Sequence, residues 1–131
     1  MVERVQVTPA AAAVIDRLQA QHGELMFHQS GGCCDGSSPM CYPRREFRVG
    51  AQDIFLGKIV GTPFFIGAAQ FEYWQHTQLI IDVVPGRGGG FSLEAPEGVR
   101  FLTRSRVFSD AEAAELVKDG PPPHGDSAEA F

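Results

Sequence analysis

Hydrophobic and polar positions change period several times along the chain, and each change marks an element. Val5-Gln6-Val7 alternates as a short strand. Thr8 then offers a capping hydroxyl and Pro9 a fixed φ for a first helical turn. Ala11, Val14, Ile15 and Leu18 follow at i, i+3, i+4 and i+7, one buried stripe of a helix over 9–22, with Gly23 as its stop. Glu24 to Gln29 reads as a strand that leads directly into a glycine-rich loop.

Beyond that loop, Glu46 to Val49 and Asp53 to Val60 read as strands joined at Gly50-Ala51-Gln52. Gly61-Thr62-Pro63 predicts a turn, and Phe64-Phe65-Ile66 the next strand. Phe71 and Trp74, spaced i, i+3, favour a turn or two of helix within 68–76. Gln78 to Val84 carries too many adjacent β-branched residues for a comfortable helix and predicts a buried strand. Pro85 to Gly90 predicts a loop, and Phe91 to Glu94 a further strand. From Val99 to Phe108 the alternation puts Arg100, Arg104 and Arg106 on one face. Ser109-Asp110 caps a last short helix that ends by Gly120. The fold class expected is α+β, mostly β, with a helix near each end. One domain over 1–119 and a disordered, proline-led tail over 120–131 complete the expectation.

Composition narrows the class without naming a function. With 131 residues, 44% of them hydrophobic and 21% charged, the chain suits one ordinary globular domain. No apolar run approaches the ~18 residues of a membrane span, so no membrane partner is expected. The N-terminus lacks the apolar core of a signal peptide, which places the protein in the cytoplasm. A net charge of −5 argues against nucleic acid as a partner.

The chemistry concentrates in one place. All 3 cysteines fall in Ser30-Gly31-Gly32-Cys33-Cys34-Asp35-Gly36-Ser37-Ser38-Pro39-Met40-Cys41. In a reducing compartment an odd, clustered set of thiols points to a metal or a reactive thiol more than to structural disulfides. Gly31, Gly32 and Gly36 give the backbone freedom to turn adjacent thiols toward one centre. Cys33, Cys34 and Cys41 supply three ligands of a tetrahedral zinc or iron site, or of an iron–sulfur cluster; the fourth comes from elsewhere. His28, entering the loop along its strand, and His76, after Trp74, are the leading candidates. Asp35, Glu72, Asp82 or a second subunit across a two-fold interface are the others. His22 and His124 are weaker, at a helix end and in the tail. Alternatively, a loop cysteine is itself the nucleophile, with redox or aldehyde-directed chemistry, or the loop is structural and the arginine face contacts a partner. Pro85 to Gly90 matches neither phosphate-binding glycine motif.

Two resemblances add expectations. Val7-Thr8-Pro9-Ala10-Ala11-Ala12, Ser30-Gly31-Gly32-Cys33, Leu79 to Val84 and Gly90 to Pro96 resemble, in order, segments of the HesB-like A-type carriers of iron–sulfur assembly. That resemblance implies a HesB-like β-sandwich of twisted sheets. Where the carriers have a terminal Cys-x-Cys pair, this chain has Gly98-Val99-Arg100-Phe101, so only Cys33 matches a carrier ligand by position. The cysteine segment, Phe71-Glu72-Tyr73-Trp74, Gly90 to Glu94 and Arg100 to Arg106 more closely resemble domain-of-unknown-function family 779. Its members are typically encoded beside aldehyde or alcohol dehydrogenases, which implies an accessory role; joined to the cysteine loop, the expectation is a metal- or cluster-binding accessory protein acting with such a dehydrogenase.

Overall fold

A computed structural model of the chain describes residues 2–29, 39–44, 50, 52–86, 92–120 and 122. The described elements are β1 (Val5–Val7), α1 (Pro9–His22), β2 (Leu25–Gln29), β3 (Met40–Pro43), β4 (Asp53–Ile59), β5 (Thr62–Gly67), α2 (Ala68–Trp74), β6 (Thr77–Pro85), β7 (Val99–Val107) and α3 (Asp110–Asp119). A single 3-10 turn, Ala95–Glu97, precedes β7. The strands form two sheets, ordered β1-β6-β7 and β3-β2-β5-β4. The protein is α+β with more strand than helix, as the periodicity predicts. No described helix is long and apolar enough to cross a membrane.

Helix α1 forms where its signals lie. Thr8 Oγ1 accepts the Ala11 N–H at 3.2 Å and Gly23 N–H closes the far end on Gln19 O at 2.9 Å. The cap also serves the tertiary structure, because the same Thr8 hydroxyl donates to Asp82 Oδ1 of β6 at 2.8 Å. The predicted stripe Ala11, Val14, Ile15 and Leu18 is buried. It packs in a cluster that draws on both sheets through Val5, Phe27, Phe64, Leu79, Ile81 and Phe101.

Phe27 is the hinge-pin of that cluster. Its ring stacks on Phe64 of its own sheet, 5.9 Å between centroids, and meets Phe101 of the other sheet edge-on at 5.0 Å. The two sheets are thus held together at the strand that delivers the chain to the cysteine segment.

Strands β4 and β5 are joined by Val60-Gly61, with Ile59 paired to Thr62. Both turn residues have positive φ, 51° and 72°, the combination that matches the twist of a two-residue hairpin. Gln19 of α1 braces the turn, its Nε2 donating to Val60 O at 3.0 Å and Thr62 Oγ1 at 2.8 Å. The predicted turn at 61–63 is therefore one residue earlier, and Thr62 and Pro63 belong to β5. Two other expectations are corrected. Met40–Pro43, read only as loop, is a strand paired with β2. Phe91 to Glu94, read as a strand, is irregular over its described residues 92–94. The physical reason is that Ser92 and Glu94 spend their hydrogen bonds on β3 and β7 through their side chains. The expected strand at 46–49, most of the loop at 85–90 and nearly all of the tail lie outside the described residues.

Gly61 has no neighbour within 4 Å of a would-be Cβ, so only its φ of 72° opposes a side chain. Gly61→Ala should therefore cost about 1 kcal/mol in chemical denaturation. A neutral substitution would contradict this turn.

Candidate functional site

Strand β2 is buried at every position. Alternation sends Leu25, Phe27 and Gln29 toward the other sheet and Met26 and His28 the opposite way. The inward side is documented by Phe27 on Phe101 and by Thr103 Oγ1 donating to Gln29 Oε1 at 2.9 Å. On the outward side, His28 is paired with Met40 of β3 and Phe65 of β5, and Met26 with Tyr42. Cross-strand partners share a face. Met26 and Phe65 are buried yet lie outside the main core cluster, so this face is a second, smaller apolar patch.

His28 carries the polar chemistry of that patch. Its Nε2 lies 2.6 Å from Oδ1 of Asp53, with the two side chains only 7% and 16% exposed. Asp53 is fixed in turn: Oδ2 accepts the Gly50 N–H at 3.0 Å. Its partner on the intervening strand β5 is Gly67, so no β5 side chain at that position crowds this face. A carboxylate can only accept, so His28 Nε2 is the donor to Asp53. A carboxylate-held imidazole is the usual support of a metal-bound histidine, and it equally supports a general base.

Cys41 belongs to the other side. It pairs with Phe27, points into the core and is fully buried. Its backbone N–H donates to Ser92 Oγ at 2.9 Å and its carbonyl accepts from Leu93 N–H at 3.0 Å. The Ser92 hydroxyl donates to Glu94, and Glu94 Oε2 accepts the Phe101 N–H at 3.2 Å. This chain of bonds ties β3 to β7 through the segment between them. Burial, with the Glu94 charge behind it, pushes the Cys41 thiol well up, so it stays a neutral thiol. Burial likewise raises Glu94.

The expected constellation is therefore divided. Cys33 and Cys34 lie outside the described residues. Cys41 and His28 face opposite sides of one sheet, because pairing puts Cys41 in register with Phe27 rather than with His28. His76 is exposed in the turn between α2 and β6, where its carbonyl accepts the Phe108 N–H at 3.1 Å. Among the described residues no three His, Cys, Asp or Glu side chains converge on a point that could hold a metal. Of the carboxylate candidates, Asp35 lies outside the described residues and Glu72 is exposed. Asp82 is committed elsewhere, taking Thr8, the Val83 N–H and Arg104 at 2.9 Å, with Arg104 the main reason its carboxyl is lowered.

The arginine face is also engaged. Arg106 grips both oxygens of Glu112 at 2.8 Å and holds that carboxyl down to about 2. Glu112 completes a capping box with Ser109 at the start of α3.

Three residues escaped the sequence reading. Asp53 looked like the polar first residue of a strand, and nothing local links it to His28. Ser92 and Glu94 alternate with Phe91 and Leu93, a pattern that does place both on one face, here inward.

These observations define a two-sheet α+β protein with a carboxylate-held histidine on the strand that leads into a Cys-Cys segment. The model of a family described as Domain of unknown function (DUF779) matches residues 14–107, and the chain belongs to that family. No curated protein matches the chain.

Because the folded Glu94 carboxyl sits above its ordinary ~4.3, its contribution is full below that pH. It is lost as pH rises through the folded value. Glu94→Gln should flatten the fall in stability above pH ~4.5, measured as denaturation midpoint against pH. An unchanged slope would contradict a desolvated carboxyl at this position.

Proposed function

We propose that the protein is a metal- or cluster-binding accessory protein whose ligands are Cys33 and Cys34 together with His28. It acts with an aldehyde or alcohol dehydrogenase, the neighbour that the family resemblance implies. The observation that carries this reading is the buried His28–Asp53 pair, 2.6 Å apart, on the strand that runs into the Cys33-Cys34 segment. An imidazole whose Nε2 is held by a carboxylate has its ring orientation fixed, which favours ligation. Two thiolates and one imidazole make a three-ligand set with one coordination position left for a partner, a substrate or a second copy of the chain. Cys41 falls outside the set, since it points into the core beside Phe27 on the side opposite His28, and His76 belongs to no group of three such side chains among the described residues.

The same pair favours one rival. With Asp53 orienting it, the imidazole of His28 could accept the proton of a loop thiol, and the resulting thiolate could attack an aldehyde carbonyl or a disulfide. This reading requires a thiol ionising well below the usual ~8.5. A docking role for Arg104 and Arg106 has less support, because each already has a carboxylate partner within the chain.

Protein purified without oxygen should carry near-stoichiometric zinc or iron by elemental analysis, and Cys33→Ala should lose most of it. Metal-free, fully folded protein with a fast, low-pKa iodoacetamide reaction would replace the metal reading with the thiol one.

A further inference from the structure

We propose that the hollow between α2, the end of β7 and α3 binds an organic monocarboxylate with an apolar body, its carboxylate taken by Arg4 and its body by Phe71, Val107, Phe108, Leu116 and Val117. The site does not depend on the metal reading, since His28 is not among its lining residues.

The apolar part is built from both buried and open positions. Phe108 and Leu116 are 8% and 9% exposed, whereas Val107 and Val117 are 72% and 82% exposed. A single exposed valine is ordinary, but two beside one hollow of about 530 Å³ leave an apolar wall facing water. That volume falls within the roughly 300–1,000 Å³ of small-molecule sites.

Arg4 supplies the charge. It directly precedes β1 and is fixed by β6: its carbonyl accepts the Leu79 N–H at 2.9 Å, and Gln78 Nε2 donates to the neighbouring Glu3 carbonyl at 2.9 Å. Its guanidinium carbon lies 5.5 Å from the centroid of Phe71, within cation–π reach. Arg17, Arg104 and Arg106 each hold a carboxylate, at 3.1, 2.9 and 2.8 Å, but no carboxylate of the described residues pairs with Arg4 in this way. Burial pushes the Arg4 guanidinium down from its ordinary range, and Asp119 offsets this only from a distance. A planar carboxylate accepts two parallel N–H bonds from such a fork. A phosphate would bring a second negative charge toward Asp119 in a chain of net charge −5, which disfavours it.

The test is calorimetric titration of the full chain with decanoate and, separately, with decanol, which has the same body and no charge. Decanoate should bind one per chain and about tenfold more tightly than decanol, the worth of a charge-assisted pair. Arg4→Gln should remove that preference while leaving decanol binding unchanged. Ala113 of α3 lines the hollow and is exposed, so Ala113→Trp fills the space without entering the core and should abolish both. The preference of the unaltered chain carries the test even if Arg4→Gln fails to fold. Equal binding of the two probes, or binding indifferent to Ala113→Trp, overturns the inference, as does the absence of binding. A chain that sediments as a dimer and is split by Ala113→Trp would make the hollow an interface between copies, and the inference falls.

Discussion

Burial of β2 on both faces is the constraint on which the structure depends. A strand with one wet face needs only a single apolar stripe, but Leu25–Gln29 must satisfy two environments in alternation. On one side Phe27 joins the sheets by touching Phe64 and Phe101. On the other, His28 lies in an apolar patch with its Nε2 held by Asp53. A slip of one residue in the pairing of β2 would exchange these roles, placing an imidazole in the core and a phenyl ring at Asp53. Register and chemistry are therefore specified together.

The same constraint places Cys41. Cys41 follows Phe27 into the core through its pairing, and its thiol is kept neutral by desolvation beside Glu94. Its conformation is fixed by bonds from both its N–H and its carbonyl to the 92–93 segment. A relay through Ser92 and Glu94 then reaches the backbone of Phe101 in β7. One end of the cysteine segment is thus anchored in the packing, and His28 faces the other way, against Asp53. The cost is a carboxyl buried at the seam between the sheets, offset by the bonds it accepts.

Much of the fold could be read from the sequence because its signals are local. The Thr8-Pro9 cap, the α1 stripe, the Phe71/Trp74 spacing and the Ser109 cap each depend on neighbours within a turn or so. What was not legible depends on distant pairing. Met40–Pro43 has no strong strand pattern of its own and becomes a strand by pairing with β2. Asp53 meets His28 only because β5 sets β4 at the right distance, with Gly67 between. The clustering of thiols was plain, but the place of Cys41 on the core side, opposite His28, follows from register, which no spacing rule along the chain contains. Alternation of Ser92 with Glu94 was visible, yet the carboxylate there made a turn rather than a strand.

Cys41 belongs to the core, and the proposal assigns His28 to a metal-binding face. This division of roles is tested most directly by measuring metal bound per chain in His28→Ala and Cys41→Ala, each purified without oxygen. The account predicts that Cys41→Ala is less stable but keeps the metal of the unaltered chain, and that His28→Ala folds and loses it. A folded Cys41→Ala protein stripped of metal, beside a His28→Ala protein that retains it, would contradict the account.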